Sequence, residues 1–121
     1  MKKHILIVDD EAQIRNLLAE FLTRSDFRVT AVASAIEALE CARSDRPDLV
    51  ITDLQLEESD GLDMIVQLKV LLPDTPVILL TGVLFDPKVA HAVLSKKVSL
   101  YLPKTAPLAK IYEEVRRLTG K

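Results

Sequence analysis

Cysteine is nearly absent from this sequence, with Cys41 as the one example among 121 residues. A lone thiol excludes an internal disulfide and a metal site made of several cysteines, and it fits a reducing compartment. The apolar run nearest the N-terminus covers only residues 5–8 and leads directly into three acidic residues, which excludes a signal peptide or membrane span there. An excess of charge is also missing, because 16 basic and 18 acidic residues leave a net charge of −2. Bulk charge therefore does not indicate binding to nucleic acid or membranes. The length of 121 residues is typical of one domain, and we expect that domain to be cytoplasmic.

Strand-like and helix-like patterns alternate along the chain. Short apolar or β-branched runs predict five strands, at about residues 5–8, 28–32, 49–52, 77–80 and 100–102. Apolar residues at helical spacing, together with capping and proline signals, predict five helices, at about residues 11–24, 35–43, 62–72, 87–95 and 108–118. Short connections between alternating elements predict a three-layer α/β domain, with a parallel sheet between two layers of helices. The pattern alone does not fix the order of the strands.

Polar side chains stand where four of the predicted strands end: Asp9, Asp10, Asp53, Thr81 and Lys104. Each has an ordinary explanation by itself, such as a helix cap for the aspartates or a solvated amine for the lysine. The carboxyl ends of parallel strands meet at one edge of the sheet, where ligands bind in this architecture. Together the five residues therefore indicate a functional site.

Clustered carboxylates repel one another unless a cation lies between them. Only oxygen ligands are available in this set, which favours a hard cation, and magnesium in particular because it also keeps phosphate oxygens in its shell. A carboxylate can attack phosphorus and form an aspartyl-phosphate. A lysine ammonium and a threonine hydroxyl could then hold the other oxygens of the transferred group.

Five segments carry a family resemblance, and they extend over essentially the whole chain. In order, they are IVDDE at 7–11, TDL at 52–54, DG at 60–61, LTG at 80–82 and YLPK at 101–104. In their order and spacing they resemble the receiver domain of two-component response regulators. The resemblance implies a flavodoxin-like fold with strand order 2-1-3-4-5, and a single receiver domain over residues 1–121 without an effector domain.

The resemblance also implies roles for the acidic residues. Asp53 would be the phospho-acceptor, and its donor a histidine kinase or a histidine phosphotransfer protein. Asp10 and Asp53 would bind Mg²⁺ directly, Asp9 through water, and the backbone carbonyl of Gln55 would supply a further ligand. Phosphoryl transfer and autodephosphorylation at Asp53 would be self-catalysed, so a turnover enzyme is not expected.

The remaining implied roles concern the response to phosphorylation. Lys104 would pair with the phosphoryl group, Thr81 would move toward it, and Tyr101 would swing inward behind Thr81. This motion would remodel the face formed by the fourth helix, fifth strand and fifth helix, through which the domain could dimerise. The output would be a downstream effector protein or a fused output domain, with no direct contact of this domain with nucleic acid or membrane.

The sequence departs from the family pattern near the site. Thr105 replaces the usual proline after Lys104, which leaves open whether that peptide bond is cis or trans; a trans bond would displace Lys104. Glu57, with Glu58 beside it, replaces another common proline, and Lys-Val at 97–98 replaces a common Gly-Ala pair. These changes bear on kinetics and on the choice of partners, and they remove no reactive group.

Two other functions remain as alternatives. One is a receiver-like scaffold that binds partners without phosphorylation. The other is a magnesium-dependent phosphohydrolase, but such enzymes need a second carboxylate two residues after the nucleophile, where this chain has Gln55. His4 precedes the first predicted strand and is not expected to belong to the site.

Overall fold

The computed structural model describes residues 2–53, 55–56, 59–81 and 98–120. Its strands are β1 (His4–Val8), β2 (Arg28–Val32), β3 (Leu49–Thr52), β4 (Gln55–Leu56), β5 (Ser59–Asp60), β6 (Val77–Thr81) and β7 (Leu100–Pro103). Its helices are α1 (Ala12–Arg24), α2 (Ala35–Ser44), α3 (Gly61–Leu71) and the C-terminal helix α4 (Leu108–Thr119). The predicted helix at 87–95 lies outside the described residues.

Five parallel strands form the main sheet in the order β2-β1-β3-β6-β7. When these five strands are numbered 1 to 5 in chain order, their order in the sheet is the expected 2-1-3-4-5. The prediction of the α/β fold is confirmed. The two-residue strands β4 and β5 pair antiparallel with each other and were not predicted, because residues 55–60 contain too few positions for an alternating pattern.

The register places the ends of the central strands side by side. Val8, the last residue of β1, is the partner of both Val32 in β2 and Thr52 in β3. At the other side of the sheet, Thr81 is the partner of Pro103. The C-terminal ends of these strands therefore lie along one common edge of the sheet.

Each face of the sheet has its own hydrophobic core. One face is covered by α2 and α3, and the other by α1 and α4. Because every residue of β1 and β3 is buried, both strands are apolar at nearly every position instead of alternating. Burial of each large apolar side chain stabilises the fold by about 1.5–3 kcal/mol relative to exposure.

Helix α2 begins at the predicted cap. The Ser34 hydroxyl accepts a hydrogen bond from the Glu37 backbone N–H at 3.2 Å and lies 3.1 Å from a Glu37 carboxylate oxygen. This side-chain pairing satisfies an N–H group that has no partner within the helix. The helix faces the sheet with small side chains, since its buried residues are Ala35, Ala38 and Ala42. Within the described ranges, none of the helices has the length and apolarity needed to cross a bilayer.

His4 lies within β1 and is 1% exposed, although the sequence placed it before the first strand. Its ring nitrogens lie 2.8 Å from the Thr30 hydroxyl and 3.2 Å from the Arg46 carbonyl. These contacts tie β1 to β2 and to the loop before β3, at the end of the sheet opposite Asp9. His4 is therefore a structural residue, as its position away from the acids predicts.

Replacing His4 with phenylalanine should lower the free energy of unfolding. The Thr30 hydroxyl and the Arg46 carbonyl would both lose a partner, at a cost of about 1–3 kcal/mol. Urea denaturation of H4F and the wild-type protein measures this difference. His4→Gln, which keeps a donor and an acceptor, should lose less, and equal stability of H4F and wild type would contradict the assignment.

Candidate functional site

The backbone positions two aspartates next to each other at the sheet edge. The Asp9 N–H donates to the Val32 carbonyl at 3.2 Å, and the Asp53 N–H donates to the Val8 carbonyl at 3.1 Å. Both bonds extend the parallel ladder one residue beyond the strands. Asp9 and Asp53 are therefore held by the sheet itself and not by a loop.

The carboxylates of Asp9, Asp10 and Asp53 converge, as the sequence predicts. One oxygen from each lies within 4.8 Å of the others. Asp9 and Asp53 are buried at 3% and 5% exposure, whereas Asp10 is half-buried. Three carboxylates at this separation form an oxygen-only site, which suits a hard divalent cation.

Lys104 reaches this group from the end of β7. Its Nζ lies 2.9 Å from a carboxylate oxygen of Asp53 and 3.2 Å from one of Asp9, and its side chain is only 7% exposed. In the part of the chain that the structure describes, no peptide bond is cis, so the Lys104–Thr105 bond is trans. With threonine in place of proline, the lysine is still in contact with the Asp53 carboxylate.

Glu11 is a site residue that the sequence analysis did not identify. Its carboxylate accepts a hydrogen bond from Lys104 Nζ at 2.5 Å, while its backbone N–H donates to Asp9 at 2.9 Å. The available signal was its place as the third acid in a row after β1. That signal is weak, because an acidic residue beside the first turn of a helix is common without any other role.

Burial and ion pairing act in opposite directions on the charged groups. Burial raises the pKa of Asp9, although the Glu11 N–H and Lys104 favour its ionised form. Burial alone would lower the pKa of Lys104, but its hydrogen bonds to Asp53 and Glu11 and the charges of Asp9 and Asp53 raise that pKa above the usual value. Lys104 is therefore a permanent cation between carboxylates at neutral pH.

A sequence profile of the response regulator receiver domain matches residues 5–116. This chain belongs to the response regulator receiver domain family. It is 36% identical over 115 residues to the response regulator protein VraR of Staphylococcus aureus, and the alignment covers 93% of this chain and 54% of VraR. It is 38% identical over 80 residues to the regulatory protein VirG of Agrobacterium fabrum, and that alignment covers 66% of this chain and 31% of VirG. The chain thus spans about a third to a half of these curated relatives.

A solved structure of a receiver domain from Methanospirillum hungatei, described as CheY-like, has the same fold. Its TM-score is 0.94 at 22% sequence identity, and the match covers 99% of this chain and 95% of that one. The prediction of a receiver domain is confirmed by the family match, and the predicted fold by the structural match.

The structure places the other predicted receiver residues with less detail. Thr81 ends β6 beside Pro103, and Gln55 begins β4 two residues after Asp53; only their backbones are described. Tyr101 belongs to β7 and lies opposite Leu79 of β6. It is half-buried and packs against the hydrophobic core between the sheet and helices α2 and α3. Glu57 and Glu58, which replace or flank a usual proline, lie outside the described residues.

Proposed function

We propose that Asp53 accepts a phosphoryl group from a phosphohistidine donor and that this switches the receiver domain. The observation that carries the proposal is the contact of Lys104 Nζ with the Asp53 carboxylate at 2.9 Å, next to two further aspartates. A lysine fixed at this position can bind an oxygen of a phosphoryl group attached to Asp53. The three carboxylates supply the ligands for the cation that such a transfer needs.

The donor set fits Mg²⁺, with Asp10 and Asp53 as direct ligands. The carboxylate of Asp9 already accepts hydrogen bonds from the Glu11 N–H and from Lys104, which favours a contact through water. The Gln55 backbone carbonyl is the proposed additional ligand, because it follows Asp53 by two residues. When bound, the ion would neutralise charge on the transferring phosphoryl group.

The proposed transfer forms a bond between an Asp53 carboxylate oxygen and phosphorus, and it breaks the bond between phosphorus and the donor imidazole nitrogen. The electron pair of that bond stays with the imidazole, which then takes a proton from solvent. Lys104 binds one of the phosphoryl oxygens that carry the charge. Asp53 is the one proposed acceptor, so one chain carries at most one phosphoryl group. Attack of water on phosphorus later breaks the bond to the Asp53 oxygen, which releases phosphate and restores the carboxylate.

The switch is proposed to pass through Thr81 and Tyr101. The Thr81 hydroxyl would bind the phosphoryl group, and Tyr101 would turn further into the space behind it. Tyr101 lies in β7, the edge strand of the main sheet next to β6. This change would therefore alter the face formed by the predicted helix at 87–95, β7 and α4. We propose this face as the surface for a downstream partner or for a second copy of the domain.

We further propose that residues 1–121 act as one receiver unit in the cytoplasm. A histidine kinase or a histidine phosphotransfer protein would supply the phosphoryl group. The output would come from a separate effector protein or from a fused output domain. Both relatives named above are longer than this chain, which supports an output outside the receiver fold.

Intact-protein mass spectrometry after incubation with Mg²⁺ and a small acyl phosphate tests the proposal. The wild-type protein should gain one phosphoryl group, and Asp53→Asn should gain none because the nucleophilic oxygen is lost. Asp63→Asn is the matched control, since Asp63 is an exposed aspartate in the first turn of α3. It should be phosphorylated like the wild type.

The outcomes separate the alternative functions. An adduct that requires Mg²⁺ and disappears only in D53N supports the switch. Absence of an adduct in the wild type, with Mg²⁺ binding confirmed by calorimetry, would favour a scaffold that works without phosphorylation. Hydrolysis of a small phosphate ester, beyond one phosphate per protein, would instead indicate a phosphohydrolase.

A further inference from the structure

The ammonium group of Lys104 has as many carboxylate partners as it has hydrogens. A lysine ammonium donates at most three hydrogen bonds. Here carboxylates of Asp53, Asp9 and Glu11 lie 2.9, 3.2 and 2.5 Å from Nζ. A phosphoryl group on Asp53 replaces the Asp53 carboxylate and can take over its donor. It can therefore gain a second bond from Lys104 only if the contact with Asp9 or with Glu11 is given up.

The carboxylates of Asp9 and Glu11 differ in how easily they can leave Lys104. The side chain of Asp9 is 4% exposed, and a backbone hydrogen bond to β2 holds the residue. The side chain of Glu11 is 57% exposed, so water can replace its contact with Lys104. An exposed ion pair is weak, whereas a buried carboxylate that loses its cation is costly. Glu11 is thus the partner that Lys104 loses at the smallest cost.

We propose that Glu11 is a positioning residue that competes with the phosphoryl group for Lys104. In the unphosphorylated domain Glu11 holds the third donor of the ammonium group. On phosphorylation it releases this donor to a second phosphoryl oxygen and turns into solvent. Glu11 would therefore bias the domain toward its unphosphorylated state. This inference rests on the proposed function of Asp53 and adds a residue that acts on it through Lys104.

Binding of trifluoroberyllate, a phosphoryl analogue that attaches to carboxylates, tests the competition at saturating Mg²⁺. Glu11→Gln should bind the analogue more tightly than the wild type by about threefold, as expected for loss of an ion pair with one exposed partner. Glu11→Asp keeps the charge but shortens the side chain by one methylene group. Because the proposal depends on the direct contact, E11D should bind the analogue like E11Q. Binding of the analogue by E11D as in the wild type would overturn the proposal, because it would show an effect of charge alone.

Glu20→Gln is the matched control for the loss of charge. Glu20 lies on α1, its side chain is 61% exposed, and it pairs with Arg24 at 2.7 Å. E20Q should bind trifluoroberyllate as the wild type does. Equal tightening in E20Q and E11Q would overturn the proposal, because it would show a general effect of charge.

Nuclear magnetic resonance of the Lys104 side-chain nitrogen tests the contact separately, without metal or analogue. The signal should shift in E11Q and E11D but not in E20Q. An unchanged signal in E11Q, or a shifted signal with unchanged affinity for the analogue, overturns the proposed role of Glu11. It leaves the proposed function of Asp53 intact. Failure of the wild type to bind trifluoroberyllate in the presence of Mg²⁺ overturns the proposed function of Asp53 as well.

Discussion

Lys104→Met should lower the free energy of unfolding by about 3 kcal/mol at pH 7 in metal-free buffer, the cost of removing one partner from a buried ion pair. Lys104 lies between the carboxylates of Asp53 and Asp9, which are almost fully buried. Methionine fills nearly the same space but carries no charge. The two carboxylates would then face each other without a cation. Urea denaturation of the variant and the wild type measures the loss.

The pH dependence follows from the charges that remain. Burial already raises the pKa of Asp9 above its usual value of 3.8, and removal of Lys104 would raise it further. The folded variant would then bind protons more readily than its unfolded chain, so its stability falls as the pH rises above about 4. The Lys104 ammonium of the wild type, whose pKa is raised, is fully charged throughout this range. The deficit of K104M should therefore be small near pH 4 and largest near pH 7.

Mg²⁺ should reverse much of the loss in K104M, because a cation between the carboxylates replaces the missing charge. Lys110→Met is the control, since Lys110 is 45% exposed and its partner Glu114, a buried residue of α4, also pairs with Arg117. Glu114 keeps a cation partner in this variant, so the loss should be no more than about 1 kcal/mol. If K104M and K110M lose equal stability in metal-free buffer at pH 7, Lys104 does not neutralise the acidic site.

Asp10→Asn should weaken Mg²⁺ binding by about tenfold or more, because loss of one charged ligand removes well over 1 kcal/mol of binding free energy. Asp10 is half-buried and its carboxylate belongs to the group of three that lies within 4.8 Å. Titration calorimetry of the wild type and variant measures the change. The metal-free variant should be at least as stable as the wild type, since one of three mutually repelling charges is gone.

Two further variants make this experiment specific. Asp63→Asn removes an exposed aspartate from α3 and should bind Mg²⁺ like the wild type. Asp9→Asn should lose less affinity than D10N if Asp9 contacts the ion through water. A larger loss in D9N than in D10N would reverse the proposed assignment of direct and water-mediated ligands.

The fold could be predicted because its signals are local and repeated. Apolar runs at β1, β3 and β6 and helical spacing between them indicate a parallel sheet covered on both faces. The strand order came from the resemblance to receiver domains, since periodicity does not specify which strands pair. The two-residue strands β4 and β5 left no such signal.

The sequence by itself determined that Asp9, Asp10, Asp53 and Lys104 share one edge, because parallel strands end at the same side of a sheet. Only the tertiary structure showed that Glu11 reaches Lys104, although the two residues are 93 positions apart in the chain. It also decided that His4 is buried and hydrogen-bonded. Such contacts depend on strand register, side-chain reach and the packing around each group, and a linear pattern specifies none of these.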